Sequence, residues 1–524
     1  MYSNKTTTLV TAEEMKLIEE EIFSAGMPVA SLMEKVALKT AQKIKELYPI
    51  KEKKISLGFM VGCGHNGGDA LVIARELYYQ GYDIVIYPPL IEKFKELTAH
   101  HFKYASSLGI KIVSNIKALS ICHIIVDGLF GFGLTRKITD NLAEDIAIVN
   151  QWNKPIISID IPSGINSDTG AVLGIAIKAT HTLCLGLYKK GIWQDRALEY
   201  LGQVERIDFN IPPAFIDKIT AEFPTTELLT QEKVQEILPL PRHVTTYKYK
   251  QGHLLLICGS KEYAGAALLS AYGARSSGVG MVTMVVPDSL KPLINSQLPE
   301  MLVIGCRETS LGSIETLPLL DWQKYQWVCC GMGLTKEAVS VVKKVIASGC
   351  DILLDADALN IVANYYLLDE LKNRHGKTVL TPHDGEFERL FPDLPFVGMA
   401  DRIEETRQGA IALNATILRK GAKTIISDNI NTWIIPHGTT ALARGGSGDV
   451  LSGFIGGLLA QNNFTDTISV DTVGAAAWLH QRGGILASED LSTLGVDGVT
   501  LSQYILKAVN ELKRNGQWFF NETC

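Results

Sequence analysis

The chain has 524 residues, more than one globular core usually holds, and 46% of them are hydrophobic and 20% charged, so two folded domains are expected. The net charge of −6 excludes a protein that binds nucleic acid through excess Lys and Arg. No apolar stretch approaches the roughly 18 residues of a membrane span, and the first residues lack the apolar segment of a signal peptide. Scattered cysteines without a C-x-x-C pair complete the expectation of a cytoplasmic protein.

The first half alternates helices with short apolar strands. Thr11 and Glu14 have the spacing of a capping box and predict a helix, and a second helix is expected at 31–48. Strands are predicted at 55–61, 83–87, 110–113, 123–126, 155–159 and 180–185. This alternation predicts a mostly parallel sheet with helices on both faces.

The pattern fades near Ile211-Pro212-Pro213, and Phe223-Pro224-Thr225-Thr226 is interpreted as a linker or the start of a new unit. A second series of strands is predicted at 253–257, 281–286, 301–304, 327–330, 351–354, 378–380 and 416–418, with a hairpin over 424–435 that turns at Asp428-Asn429. Two α/β domains therefore follow, over residues 1–225 and 226–524.

A glycine-rich segment with Gly62, Gly64 and Gly67 lies between a predicted strand and helix, where backbone N–H groups can hold a phosphate. A dehydrogenase would also place an acidic residue at the end of the next strand to bind a ribose hydroxyl. That strand ends in Tyr87-Pro88-Pro89, so the sequence does not support a dehydrogenase.

Polar residues follow three of the predicted strands in the first half. Asn66, Asp127, Asp160 and Ser163 all lie at carboxyl ends of strands, which converge on one crevice in an open parallel sheet. Their oxygens suit an alkali or alkaline-earth cation, and a carboxylate there can act as a general acid or base. Asp69 is open to two interpretations, a functional group or a plain helix cap.

The strongest motif in the second half is Gly445-Gly446-Ser447-Gly448-Asp449 before a helix. Its N–H groups can surround an anion, and Asp449 beside them can deprotonate a hydroxyl that attacks a phosphoryl group. Alternatives stay open elsewhere: His383 is a ligand contact or only a helix cap, and Asp355 and Asp357 contact magnesium or phosphate or are strand-end caps. Lys420 at a strand end offers a mobile cation.

The motifs N-G-G-D (66–69), D-x-L-F-G-x-G (127–133) and S-x-D-I-P-S-G (158–164) resemble the NAD(P)H-hydrate epimerase domain. That resemblance implies a potassium ion held by Asn66, Asp127 and Ser163, and Asp160 as acid/base. It also implies substrate contacts from His65, Asn66, Gly67, Gly68, Asp69, Gly131, Phe132, Gly133, Leu134, Thr135, Arg136, Lys137 and Asp160. The chain departs from the family pattern at His65, which replaces Asn, and at Ala70, which replaces Gly.

The G-S-G-D segment resembles the ribokinase-like superfamily, and further ordered motifs narrow this resemblance to the ADP-dependent NAD(P)H-hydrate dehydratase. Those motifs are K-x-x-x-G-H (248–253), Y-x-G-A (263–266), G-M-G (331–333), D-A-D-A-L (355–359), T-P-H-x-G-E (381–386) and K-G-A (420–422). The resemblance implies that Ala266, Gly333, His383 and Asp449 contact the hydrated nucleotide. Lys420, Gly421, Ala422, Lys423, Thr424 and Gly448 would hold ADP, later AMP, with Mg²⁺ neutralising the phosphates.

Together the resemblances imply the family of bifunctional NAD(P)H-hydrate repair enzymes: a Rossmann-like αβα epimerase domain fused to a ribokinase-like αβα dehydratase domain. Such a chain epimerises NADHX and NADPHX and dehydrates the S forms with ADP, giving AMP and phosphate, and it is expected to be a homo-oligomer. Two alternatives stay open. One is a ribokinase-like small-molecule kinase fused to a Rossmann-like binding domain, and the other is a first domain that only binds.

Overall fold

The structure, a computed structural model, describes residues 7–51, 54–238, 240–394, 401–461 and 469–515. The chain divides into two compact units, Met1–Thr226 and Glu227–Cys524. No helix within the described ranges is both long enough and apolar enough to cross a bilayer.

The first unit is built from short strands and helices in alternation. Its strands are β1 (Leu9–Val10), β2 (Ser56–Val61), β3 (Asp83–Tyr87), β4 (Lys111–Ile112), β5 (Ile124–Gly128), β6 (Ile156–Ile159), β7 (His181–Leu185), β8 (Tyr188–Lys189) and β9 (Gln203–Ile207). Its helices are α1 (Ala12–Ser24), α2 (Val29–Leu47), α3 (His65–Tyr79), α4 (Glu96–Ser107), α5 (Asp140–Asn150), α6 (Leu198–Leu201) and α7 (Pro213–Thr220).

Seven of these strands form a sheet in the order β4-β3-β2-β5-β6-β7-β9, and every neighbouring pair is parallel. Both faces are covered, because Leu57 and Phe59 enter one apolar cluster while Met60 enters another. A separate pair joins β1 to β8, with Val10 opposite Lys189. The carboxyl ends of the parallel strands therefore share one edge of the sheet.

The second unit repeats this organisation on a larger scale. Its strands are β10 (Thr225–Leu228), β11 (His253–Ile257), β12 (Met281–Pro287), β13 (Leu302–Cys306), β14 (Trp327–Cys330), β15 (Asp351–Leu354), β16 (Thr378–Leu380), β17 (Thr416–Arg419), β18 (Ile425–Ser427) and β19 (Asn431–Ile434). Its helices are α8 (Gln231–Ile237), α9 (Ala264–Ser277), α10 (Lys291–Gln297), α11 (Val339–Ile346), α12 (Asp357–Asn364), α13 (Leu368–Lys372), α14 (Asp384–Leu390), α15 (Arg402–Leu413), α16 (Ser447–Gln461), α17 (Ser469–Leu491) and α18 (Gly498–Asn515).

The ten strands of this sheet run in the order β10-β19-β18-β17-β16-β15-β14-β11-β12-β13. The strands from β17 to β13 are parallel, whereas β17, β18 and β19 pair antiparallel through the hairpin. Alternate residues of β11 enter opposite clusters, Leu254 on one face and Leu255 on the other. The sheet is thus the middle layer between two helical layers.

The predicted α/β class and its mostly parallel sheets are confirmed. The helix cap at Thr11 is a true capping box, with reciprocal hydrogen bonds to Glu14. The sequence did not predict β1, β8, β9 or β10, because two-residue strands carry no periodicity and β9 contains charged Glu205 and Arg206. The glycine-rich segment after β2 is not all loop. Helix α3 already begins at His65, so the later glycines of the segment belong to the helix.

Helices α9 and α16 lie in direct backbone contact, and this contact sets the position of the G-S-G-D segment at the start of α16. A Cβ atom at Gly453 would lie 1.8 Å from the carbonyl oxygen of Ser270, and one at Gly273 would lie 2.0 Å from that of Val450. Real Cβ atoms do not approach a carbonyl oxygen so closely. The two helices therefore need glycine at both positions.

We expect Gly453→Ala to lower the free energy of unfolding of the second unit by about 1–3 kcal/mol, because α9 and α16 must separate to accommodate the methyl group. Urea unfolding followed by circular dichroism measures this change. Gly349→Ala is the matched control, since nothing lies within 4 Å of a Cβ there. An equal effect of both variants would contradict the close packing.

Candidate active sites

A buried ion pair stands at the carboxyl edge of the first sheet. The Nζ of Lys189 lies 2.5 Å from Oδ1 of Asp160, and both side chains are almost fully buried. Burial alone would lower the pKa of Lys189, but the charge of Asp160 and the hydrogen bond to it, together with the effects of Cys184 and Glu19, raise it. Asp160 follows β6 with a φ of 68°, a left-handed conformation that Asp tolerates better than most residues.

The loop after β5 closes over Asp160. The backbone N–H of Phe132 donates to Asp160 Oδ2 at 3.0 Å, and the Phe132 ring lies 5.4 Å from Lys189 Nζ. A Cβ atom at Gly131 would lie 3.0 Å from Asp160 Oδ2 and 3.4 Å from the side chain of Asn66. The structure therefore brings Asn66, Gly131, Phe132 and Asp160 together.

Two further carboxyl groups share the electrostatic environment of this pair. Burial raises the pKa of Glu19 to about 7, while the charge of Lys189 opposes the rise and that of Asp160 adds to it. Burial also raises the pKa of Asp69 well above its usual range, and the charges of Asp160 and Glu19 add to this shift. Asp69 lies inside α3, so it is not a cap at the helix start.

Asp127 organises a hydrogen-bond network beneath the site. Its carboxylate accepts from the hydroxyl groups of Ser158 and Ser163, at 2.8 and 2.6 Å, and from the backbone N–H groups of Ser163 and Leu129. Asn66 is 9% exposed, and its Nδ2 atom has no hydrogen-bond partner. An unpaired buried amide costs free energy, which a hydrogen bond from this group to a ligand would recover.

The remaining predicted substrate contacts divide into three groups. His65 is the first residue of α3, and partial burial of its ring together with the charge of Lys95 lowers its pKa. Gly67 serves packing, because a Cβ there would lie 1.9 Å from the carbonyl oxygen of Gly62, and Gly68 packs against the side chain of Met33. Gly133, Thr135, Arg136 and Lys137 are exposed in the loop after β5.

One predicted contact needs correction. Leu134 is 8% exposed and belongs to the apolar cluster under the sheet, so its side chain does not line the crevice. An apolar residue in an exposed loop buries its side chain where it can, because this removes apolar surface from water. The loop can present only its backbone at this position.

The second unit has a comparable pair at the carboxyl edge of its sheet. Lys420, after β17, places its Nζ 2.8 Å from Oδ1 of Asp355, after β15. The hydroxyl group of Ser452 donates to the other oxygen of Asp355 at 2.6 Å. Burial would lower the pKa of Lys420, but the charges of Asp355 and Glu386 raise it.

Asp449 lies in the first turn of α16, next to this pair. Burial raises its pKa to about 7, Asp355 and Asp357 add to the rise, and Lys420 opposes it. A Cβ at Gly448 would lie 3.7 Å from the ammonium of Lys420, which shows how close the glycine segment is to the lysine. His480 bonds to the carbonyl oxygen of Ser447 at 3.0 Å and supports the same turn.

His383 has the structural role that the sequence left as an alternative, because it caps α14 in a capping box with Glu386. Its side chain is nevertheless 55% exposed, and its backbone pairs with that of Lys420. Its ring therefore lies at the edge of the same crevice. A role as cap does not exclude a contact with a ligand.

The other predicted dehydratase contacts lie around this crevice. Ala266 and Gly333 touch, since a Cβ at Gly333 would lie 2.8 Å from that of Ala266. In the loop after Lys420, the ammonium of Lys423 donates to the carbonyl of Pro436, and the hydroxyl of Thr424 donates to that of Gly421. Ala422 is exposed.

The strand-end carboxylates have separate partners. Asp357 accepts from the N–H of Thr335 at 2.9 Å, while Asp355 is occupied by Lys420 and Ser452. Within the part of the chain that the structure describes, no three His, Cys, Asp or Glu side chains form a group able to hold a metal ion.

Sequence reasoning missed Glu19, Lys189 and Ser452. Ser452 follows Asp449 by three residues, so helical spacing alone places both on one side of α16. Lys189 has no such signal, since only the fold brings it to Asp160. Glu19 belongs to the run Glu19-Glu20-Glu21, which is typical of a solvated helix surface.

Comparison with known proteins agrees with the two-part organisation. A family described as "NAD(P)H-hydrate dehydratase" matches residues 254–507, and one described as "YjeF-related protein N-terminus" matches residues 29–191. Among solved structures, the ADP/ATP-dependent NAD(P)H-hydrate dehydratase from Bacillus subtilis, co-crystallised with ATP and Mg²⁺, is 29% identical. It covers 54% of this chain and 98% of its own, with a TM-score of 0.46.

Two relatives match nearly the whole chain, and both are named bifunctional NAD(P)H-hydrate repair enzyme Nnr. The protein from Synechocystis sp. is 48% identical over 504 residues, which cover 96% of this chain and 95% of the relative. The protein from Thermosynechococcus vestitus is 46% identical over 501 residues, covering 95% and 96%. The chain belongs to the family of bifunctional NAD(P)H-hydrate repair enzymes.

Proposed function

We propose that the first unit epimerises NADHX and NADPHX at the Asp160 site and that the second unit dehydrates the S forms at the Asp449 site. The observation that carries the first assignment is the Asp160–Lys189 pair, a buried carboxylate held by a buried ammonium group at the carboxyl edge of the sheet. The observation that carries the second is Asp449, an acid with a pKa of about 7 beside a glycine segment at a helix start.

The epimerisation needs proton transfer and charge stabilisation rather than a nucleophile. The hydrated carbon carries a hydroxyl group and a ring nitrogen, so the C–O bond can break when the nitrogen lone pair forms an iminium ion. The Asp160 carboxyl group lies at the crevice, where it can stabilise that cation and exchange a proton with the departing or entering water. Water then adds back to either face of the ring.

The predicted potassium site is supported by the chemistry of its residues. Ser163 and Asp127 present hard oxygens, and Asn66 has an unpaired buried amide whose rotation places an oxygen in the same position. A bound potassium ion would supply positive charge that draws a hydroxyl or phosphate oxygen of the substrate into the crevice. In its absence, the same residues still hold the loop after β5 through the bond from Phe130 N–H to Ser163 Oγ.

For the dehydration, Asp449 takes the proton from the substrate hydroxyl group. The hydroxyl oxygen attacks the terminal phosphorus of ADP, the bond from that phosphorus to the AMP oxygen breaks, and AMP leaves. The ring nitrogen then expels the new phosphate, and the neighbouring carbon loses a proton to restore the reduced nicotinamide ring. Lys420 and the N–H groups of the glycine segment stabilise the charge on the transferred phosphoryl group.

For localisation and assembly we keep the expectations from the sequence. We place the protein in the cytoplasm as a homo-oligomer, as the sequence predicts. The cysteines in the described ranges are all free, and most are buried, which is typical of a reducing compartment.

Asp160→Asn is expected to slow conversion of the R form by about 10²–10⁴-fold, because the site loses its charged acid/base group. The assay follows near-ultraviolet absorbance of NADH from R-NADHX with ADP and Mg²⁺, where the second unit reports the S form produced. Since Asn leaves Lys189 unpaired, the double variant Asp160→Asn/Lys189→Met controls for stability. A normal rate of R-form conversion in either variant would show that Asp160 takes no part in the reaction.

The epimerase is also expected to depend on the monovalent cation. Replacing K⁺ by Li⁺ should slow conversion of the R form (the R phase) and leave consumption of the S form (the S phase) unchanged. The reason is that the predicted cation ligands Asn66, Asp127 and Ser163 all belong to the first unit. Asn66→Ala should abolish this difference between the two cations. Equal R rates in both salts with the unmodified chain would contradict the cation site.

Asp449→Asn should abolish consumption of S-NADHX, with a loss of about 10²–10⁴-fold. In the unmodified chain, kcat/KM should rise with pH through about 7, because Asp449 must lose its proton before it can accept one from the substrate. The pH dependence of kcat/KM for S-NADHX measures this rise. A flat profile from pH 6 to 8 would exclude Asp449 as the base, and a stable phosphorylated product would indicate a kinase instead.

A further inference from the structure

Two side chains beside the Asp449 site have no part in the mechanism above. They are Asp355, after β15, and Ser452, in α16, and each residue is 1% exposed. The hydroxyl group of Ser452 donates to Oδ2 of Asp355 at 2.6 Å, and the ammonium group of Lys420 donates to Oδ1 at 2.8 Å. Each oxygen of this buried carboxylate therefore accepts from a different element of the fold.

Ser452 is a fixed point in this chain of hydrogen bonds. It follows Asp449 by three residues in α16, so both lie on the same side of the helix. The helix itself lies close against the sheet, because a Cβ atom at Gly456 would lie 2.1 Å from Sγ of Cys329 in β14. The hydroxyl group of Ser452 therefore holds the Asp355 carboxylate in one orientation.

A second carboxylate lies close to the ammonium group of Lys420. Oε2 of Glu386 is 4.0 Å from Nζ of Lys420, and the same oxygen accepts from the backbone N–H of His383 at 2.9 Å. Coulomb attraction weakens with distance, so the shorter bond to Asp355 sets the position of the ammonium group. A change in the orientation of Asp355 would let the ammonium group move toward Glu386.

Asp355 also keeps the ammonium group next to the glycine segment. A Cβ atom at Gly448 would lie 3.7 Å from Nζ of Lys420. An ammonium group has three N–H donors, so one bond to Asp355 leaves donors for a phosphoryl oxygen bound by the backbone N–H groups of the segment. The lysine can therefore act on the transferred group while Asp355 holds it in this place.

We propose that Ser452 and Asp355 are positioning residues for the dehydration: Ser452 orients Asp355, and Asp355 holds the ammonium group of Lys420 where it meets the transferred phosphoryl group. The inference rests on the dehydratase function proposed above and adds two residues to it. Both act through Lys420 and not on the substrate directly. The sequence left Asp355 as a magnesium or phosphate contact or a strand-end cap, and this assignment gives its carboxylate a different task.

The test measures dehydration of S-NADHX with ADP and Mg²⁺ by the full chain, from the near-ultraviolet absorbance of NADH. Ser452→Ala should lower kcat by about 10- to 100-fold, because a hydrogen bond to a charged group is lost, and leave KM for S-NADHX unchanged. Ser276→Ala is the matched control, since this serine is 7% exposed and its hydroxyl group ties α9 to α18 through the carbonyl of Ser502 at 2.7 Å. It should keep the unmodified kcat and KM. An unchanged kcat in Ser452→Ala, or an equal loss in both variants, would overturn the inference.

A double-mutant cycle separates the positioning of Lys420 from a general structural effect. Lys420→Gln removes the charge but keeps an amide that can donate to Asp355, so the buried carboxylate retains a partner. In that background Ser452→Ala should lower kcat by no more than about twofold, because no ammonium group is left to position. A further loss as large as in the unmodified chain would show a structural role and overturn the inference, and so would a fully active Lys420→Gln. Failure of the unmodified chain to consume S-NADHX would instead refute the proposed dehydratase function.

Discussion

A buried carboxylate must find a cation or several donors, and this requirement shapes both sites. Asp160 meets it with Lys189, and Asp355 meets it with Lys420 and Ser452. Removing one partner of such a pair leaves an uncompensated charge, at a cost of about 3–5 kcal/mol. Each pair therefore ties together the ends of the strands and loops that carry its two members.

The two units apply the same constraint to different chemistry. In the first, the ammonium group bonds directly to the carboxylate that we assign to the reaction. In the second, Lys420 is hydrogen-bonded to Asp355 and not to Asp449, the group that we assign to the reaction. The pKa of Asp449 is raised to about 7. Lys189 thus holds Asp160 through a direct bond, whereas burial, with the charges of Asp355 and Asp357, raises the pKa of Asp449. These environments suit charge stabilisation in one unit and proton abstraction in the other.

Much of this arrangement could be predicted from the sequence, because short apolar runs followed by Gly, Asn, Asp or Ser mark the carboxyl ends of parallel strands. Asp160 follows such a strand, while Asp449 is predicted from the glycine segment before a helix. Lys189 was not predicted, since it lies on a two-residue strand without periodicity, and its partner is known only once β8 is placed beside β1. Leu134 shows the opposite difficulty. The family motif assigns the whole loop after β5 to the substrate, but the side chain of Leu134 packs in an apolar cluster.

The pairing of β1 with β8 also has a consequence for biosynthesis. Leu9 and Val10 leave the ribosome early, but their partners Tyr188 and Lys189 follow only after most of the first unit has been made. Closing so long a loop is entropically costly and slow compared with forming local helices. Helix α1 must therefore wait beside an incomplete nascent chain, and the β1–β8 pair that carries Lys189 is among the last parts of the first unit to be completed during translation.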